Sequence, residues 1–362
     1  SLEINRAVVG AKHWRFAADC VELAYKHRLM NELGVAETYA NQALEIDRSQ
    51  RGESHPKVAT CLNLLGMIAD SRRDLATSQK HYTLAAEIWK ATYGERSTDY
   101  SAALNNLALV HEKRNEPKLA EDCFRQSLAI YEQLAGPNST VGTISVNLGR
   151  LLLRQKRFDD AEVALLKGLA IREKLLAPDH ADRIAALQAM LDLADQRYLA
   201  ALAREDFPVA RRYAEEGLTW TIRRHGQEHY LVQRFRAALN DLDRLAALLP
   251  EDRQKLKAED TTLAELKELN TKGQQPDGTR KARAALAARR QYLGERHLNT
   301  LLASEWLGNQ LVAQQEFAEA ETLLRAALAA RKEAQAADDP MIATTRGNLI
   351  TLLQKRAAQS LN

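Results

Sequence analysis

Carboxamide side chains recur in this chain where their chemistry needs an explanation. Asn63, Asn105, Asn106, Asn147, Asn240, Asn309 and Asn348 each stand within two residues of a Leu, inside segments of helical apolar spacing. Asn both donates and accepts, so it can pair with a peptide unit running in either sense. It is a mediocre helix former, so its return mid-helix is not a propensity effect. Two uses fit. The amides grip the backbone of another polypeptide, or they bond a neighbouring helix and hold the fold together, because a buried amide is paired either way. Charges follow about a turn later: Asp70, Glu112 and Lys113, then Arg150 and Arg154. They suggest a surface with an acidic end and a basic middle, or plain solvated faces.

One string imitates a metal site. His225-Gly-Gln-Glu228-His229 spells the H-x-x-E-H pattern of some zinc peptidases. That chemistry needs both imidazoles on one continuous helix. Gly226 instead falls where a loop glycine recurs along the chain, and His229 falls where His55, His180 and His297 stand. A metallopeptidase is therefore the weakest reading, and no metal or cofactor is expected. His13, His27, His81 and His111 fall in different segments and suggest no ligand set. Asn138-Ser139-Thr140 is a glycosylation sequon by spelling, but it needs a secretory setting. No phosphate loop, G-x-S-x-G or C-x-x-C is present.

The elements that must position these residues repeat about every 42 residues. The loop anchors are Gly52/His55, Gly94/Ser97, Gly136/Ser139, Ala177/His180, Gly226/His229, Gly294/His297 and Ala336/Asp339. Between them lie two apolar-periodic segments. In the clearest unit, Leu104, Leu107 and Val110 line one helical face and Ala120, Phe124, Ser127 and Ile130 the next. The turn Asn115-Glu116-Pro117 parts them, since Pro suits the first helical turn. Such a period predicts stacked helical hairpins. The expectation is an all-α chain: a right-handed α-α solenoid over 1–362 with about seven hairpin units. An insertion at 249–276 has loop composition at both ends, around Pro250 and at Lys272–Gly278, and a short amphipathic helix at Thr262–Leu269. A capping helix follows at 339–362. The fifth unit, about 180–226, has a longer first helix and an ambiguous register.

Composition narrows the class. The 362 residues carry 51 basic and 48 acidic side chains, a balance of +3, which lacks the basic excess of a nucleic-acid binder. Cys20, Cys61 and Cys123 give an odd count in helical segments, suiting thiols in a reducing compartment. No apolar run is long enough to span a membrane; no signal peptide is visible within the chain, and since it starts at Ser1 the removal of a leader stays open. A cytoplasmic protein is expected.

Small and large residues at fixed places in paired helices resemble the tetratricopeptide repeat. Gly52-Glu-Ser-His-Pro-Lys-Val-Ala59, Leu104-Asn-Asn-Leu-Ala108 and Gly168-Leu-Ala-Ile-Arg-Glu-Lys-Leu175 resemble its kinesin light chain variety. The likeness is good over 31–180 and 281–355 and poor over 181–280. It implies that the first helix of each unit lines a concave groove holding an extended peptide. On this likeness the groove amides are Asn63, Asn105 and Asn240, with Asn106, Asn147 and Asn348 at the adjoining position. Val146 replaces the groove amide in one unit, and Asn309 lies a turn further along. The resemblance implies a non-enzymatic adaptor for a protein or peptide, a tubulin-like filament among the candidates. A peripheral membrane adaptor using the basic helix at 280–290 (Arg280, Lys281, Arg283, Arg289, Arg290) is the alternative.

Overall fold

The computed structural model describes residues 10, 12–258, 275–334 and 339–360. Every regular element among them is an α-helix. The chain divides into two compact units, Ser1–Leu193 and Ala194–Asn362. The first contains α1 (Trp14–Leu29), α2 (Leu33–Arg51), α3 (Pro56–Ser71), α4 (Leu75–Tyr93), α5 (Thr98–Lys113), α6 (Pro117–Ala135), α7 (Ser139–Arg154), α8 (Phe158–Leu175) and the start of α9 (Ala181–Ala203). The second contains the end of α9, then α10 (Phe207–His225), α11 (Tyr230–Ala247), α12 (Gln275–Leu293), α13 (Leu298–Ala313), α14 (Phe317–Ala334) and α15 (Pro340–Ser360). In the first unit the helices pack as hairpins α1/α2, α3/α4, α5/α6 and α7/α8, and α2/α3, α4/α5 and α6/α7 join one hairpin to the next. In the second, α10/α11 and α13/α14 pair, α12 packs on α13, and α15 closes on α14 and α13.

Local chemistry sets each boundary. Five first helices start on a histidine whose Nδ1 accepts from the backbone two residues on. These are His13, His55, His180, His229 and His297, at 3.0 to 3.3 Å. Ser97, Asn138 and Asp339 cap α5, α7 and α15. The cap of α7 is thus Asn138, not the Ser139 of the sequence pattern, because the Asn138 side chain reaches Val141 N at 3.0 Å. Within hairpins the turns close the same way each time. Asn31, Arg73, Asn115, Lys156, Glu205 and Gln315 adopt φ near +60°. The following amide then bonds a carbonyl five residues back, as in Asp74 N to Ala69 O at 2.9 Å.

Helices meet at small residues. A Cβ on Gly66 would lie 2.7 Å from the Tyr82 ring, and one on Gly149 2.6 Å from Leu165. Gly308 stands in the same relation to Leu324. Ala108 and Phe124 fill the equivalent places and are fully buried. A second close approach joins Ser101 and Ser127, each hydroxyl donating to the other's carbonyl at 2.8 Å. At the same place in the next hairpin stand Gly142 and Gly168.

One position per hairpin, five residues before the loop anchor, varies widely in chemistry, and at Asp47, Arg172 and Arg289 it reaches the following helix. It holds Asp47, Trp89, Tyr131, Arg172, Thr221, Arg289 and Arg331. Asp47 accepts from Arg51 Nε at 3.1 Å and from the Cys61 thiol at 3.8 Å, and burial pushes its carboxyl up. Arg172 donates to Asp182 O at 2.7 Å, and Arg289 to Asn299 O at 3.3 Å. Arg331 meets Glu305 at 2.8 Å.

The insertion departs from the sequence reading. Residues 250–258 are helical, and Gln275–Gly278 open α12 rather than a loop. Pro250 marks a helix start, since Pro suits the first turn. Arg253 bonds Glu205 at 2.8 Å and Leu248 O, which anchors this segment to the α9–α10 turn. The expected helix at 262–269 lies outside the described residues. The long first helix of the fifth unit is present: α9 has 23 residues.

Burial lowers the imidazoles of His81 and His225 from the ordinary 6.5, with Lys80 and Arg48 adding to it at His81 and Arg224 and His229 at His225. The unfolded chain therefore binds protons there before the folded one does, and stability is lost as pH falls below that value. The melting temperature should drop between pH 7.5 and about 5.5, and His81→Gln should shrink that drop. An unchanged pH dependence in the variant would remove His81 from the account.

Candidate partner-binding face

In the first unit the sequence-selected amides lie on successive first helices, α3, α5 and α7. Asn106 Nδ2 donates to Asn63 Oδ1 at 3.0 Å, and Asn63 Nδ2 approaches Met67 Sδ at 3.9 Å. Asn63 is 9 % exposed. Asn63 also opposes the upward push of burial on the Tyr25 phenol of α1. Asn63 therefore ties α3 and α5 together. Asn105 is half-buried, and its Oδ1 is sealed from water without a hydrogen-bond partner. Asn147 is half-buried on α7, next to the fully buried Val146. The structure thus carries the Asn63–Asn106 pair from α3 to α5.

The charges a turn beyond do not segregate. Lys113 Nζ grips both oxygens of Asp70 at 2.6 and 2.7 Å, and Arg154 meets Glu112 at 2.5 Å. Arg150 donates to Ala185 O at 2.9 Å. Burial raises the Glu112 carboxyl, and Arg154 opposes it. The acidic end and basic middle suggested by the sequence are corrected here: Asp70 and Glu112 each meet an opposite charge from the next first helix, and Arg150 meets a backbone carbonyl. Such half-exposed pairs contribute little to stability.

In the second unit Asn240 and Asn309 are exposed on α11 and α13, and Asn348 is half-buried on α15. The basic helix α12 is largely engaged. Arg283 pairs with Glu319 and Glu316, Arg290 with Glu295, and Arg289 is buried. The H-x-x-E-H string is broken as expected. His225 ends α10, Gly226 takes φ +84°, and His229 caps α11. Their rings stack 4.2 Å apart. No group of three His, Cys, Asp or Glu among the described residues could hold a metal.

Sequence reasoning missed a cleft of about 250 Å³ between α1, α2 and α3. Trp14, Ala18 and Val21 wall it, with Asp47, Arg51 and Lys57 opposite. Trp14 is 43 % exposed, and the Arg51 guanidinium sits 5.2 Å from its ring centre. The signal available was an aromatic at the very start of a first helix.

Two family models for the tetratricopeptide repeat match the chain, over residues 71–133 and 143–182. No curated protein matches it. Among solved structures, BtubC (BKLC) from P. vanneervenii is 22 % identical, covers 66 % of this chain and 88 % of its own, and has a TM-score of 0.49. A kinesin light chain of Podosopora anserina with nearly identical TPR-like repeats is 17 % identical over 59 % of this chain and 98 % of its own, with a TM-score of 0.46. A tetratricopeptide repeat protein from Parabacteroides merdae is 13 % identical over 92 % of this chain and 98 % of its own, with a TM-score of 0.41. These likenesses carry no function across. The chain thus carries tetratricopeptide repeats over residues 71–133 and 143–182, set among helical hairpins of the same period.

Proposed function

We propose that this chain is a non-enzymatic interaction scaffold that holds an extended peptide or a protein surface against its first helices. The observation that supports the reading is the row of half-exposed amides, Asn105 and Asn106 on α5 and Asn147 on α7, on successive first helices. Each hydrogen bond from an amide to a peptide is worth about 0.5–1.5 kcal/mol net, so binding of one peptide is micromolar and tightens on a polymer through multivalency. Asn105, Asn106 and Asn147 are the contact amides in the first unit, with Asn63 as their support. Asn240, Asn309 and Asn348 offer the same chemistry in the second. Asp70, Glu112, Lys113, Arg150 and Arg154 flank the row and set which side chains it accepts.

The narrower partner is a tubulin-like filament, and the setting is cytoplasmic, where Cys20, Cys61 and Cys123 stay as thiols. A partner captured from the native lysate, or a filament in co-sedimentation, should bind Asn105→Ala/Asn147→Ala at least tenfold more weakly, the loss of about 1.4 kcal/mol. Helicity and melting temperature should stay close to wild type. A collapse in melting temperature with unchanged binding per folded molecule would make the amides structural. The membrane reading is the less favoured, because α12 spends Arg283 on Glu319 of α14 and Arg290 on Glu295 in the loop that follows. No described helix is long and apolar enough to cross a membrane.

A further inference from the structure

At three matching places the second helices α2, α4 and α6 of the first unit turn mostly polar residues outward. The outward positions are Thr38, Asn41 and Glu45 on α2, Lys80, Thr83 and Glu87 on α4, and Asp122, Arg125 and Ala129 on α6. On α8 the same three places hold Val163, Leu166 and Ala170. Val163 is 71 % exposed and Leu166 42 %, and Ala170 is exposed with them. The spacing i, i+3, i+7 puts all three on one stripe. Lys167 beside them is drawn off by an ion pair with Glu132 on α6, so Leu166 stands proud.

The ends of the stripe are charged with opposite signs. Asp159 lies one turn before Val163, and Lys174 one turn after Ala170, both exposed and both on the same face. Acidic before and basic after makes the face its own complement. Turned antiparallel about a two-fold axis between residues 166 and 167, it sets Val163 over Ala170 of a second copy. The two Leu166 side chains then meet at the centre, and Asp159 faces Lys174 at each end. A bulky residue meets a small one, and an acid meets a base, as a self-complementary contact requires.

We infer that α8 is a homodimer surface, pairing antiparallel with α8 of a second copy. The contact is independent of the amide face, which belongs to the first helices. One helix pair falls short of the roughly 800 Å² per partner of a standard interface, so the dimer is weak and concentration-dependent.

Sedimentation velocity on the full chain should show the dimer appearing between about 1 and 200 µM, the range of a micromolar contact. Val163→Glu/Leu166→Glu should leave monomer throughout that range. Asp159→Lys and Lys174→Asp alone should each weaken association several-fold, and the two together should restore it. Leu166→Cys should cross-link to a dimer under mild oxidation, whereas Arg125→Cys, at the matching place on α6, should not. A wild-type chain that stays monomeric, or a dimer indifferent to Val163→Glu/Leu166→Glu, would overturn the inference. Circular dichroism of each variant separates a lost contact from a lost fold.

Discussion

Gly168→Val should lower the stability of the first unit by about 3 kcal/mol, the upper end of overpacking costs. A Cβ at Gly168 would lie 2.6 Å from Val146 Cγ2 and 2.9 Å from the Gly142 carbonyl oxygen. A side chain can rotate away, but a backbone oxygen on α7 moves only with its helix. The melting transition should fall by roughly 6–12 °C, at 2–4 °C per kcal/mol for a unit of this size. Gly347→Ala is the matched control. Its Cβ would meet nothing within 4 Å. It should gain about 0.5–1 kcal/mol from backbone entropy alone. If both variants melt alike, the close approach of α7 and α8 is not what the residue serves.

Arg331→Met should cost about 3–5 kcal/mol, because it strands a buried carboxylate. Arg331 is fully buried on α14, and its Nε meets Glu305 Oε1 of α13 at 2.8 Å. Thr345 of α15 donates to the same oxygen. This node therefore fastens the last helix to the hairpin before it. Removing both charges, in Arg331→Met/Glu305→Leu, should recover most of the loss, since a packed apolar pair often matches a buried ion pair. Chemical denaturation compares the two, and limited trypsin digestion reports α15 directly through cleavage after Arg346 and Lys355. A double variant no better than the single one would show that the loss lies in packing volume.

Much of this architecture was readable from residue spacing. The period located the hairpins, Pro117 marked the start of α6, and Phe124 and Ser127 proved to be buried contact residues. The glycine in the H-x-x-E-H string marked the break between α10 and α11. The lateral pairings were not readable. Asn106 meets Asn63, and Lys113 meets Asp70, at a separation of 43. That is one more than the repeat, and the extra residue comes from how far neighbouring helices are offset along their axes. Packing sets that offset, so equivalent charges read as separate patches in sequence turn out to be partners. The insertion failed for a local reason: Pro250 serves as readily in a first helical turn as in a loop, and only Leu256 and Arg253 decide which.

The varied residue at the hairpin joints has a consequence for assembly. Tandem near-copies risk mating with the wrong sibling during folding, a characteristic failure of repeat chains. Here an acid, an indole, a phenol, a hydroxyl and three guanidiniums occupy what is otherwise one equivalent site, so the first links differ from one another in chemistry. Exchanging the block that ends in Asp47 with the one that ends in Arg172 would seat a guanidinium where a carboxylate is housed. The order of those links is thus written into their chemistry as well as into the chain.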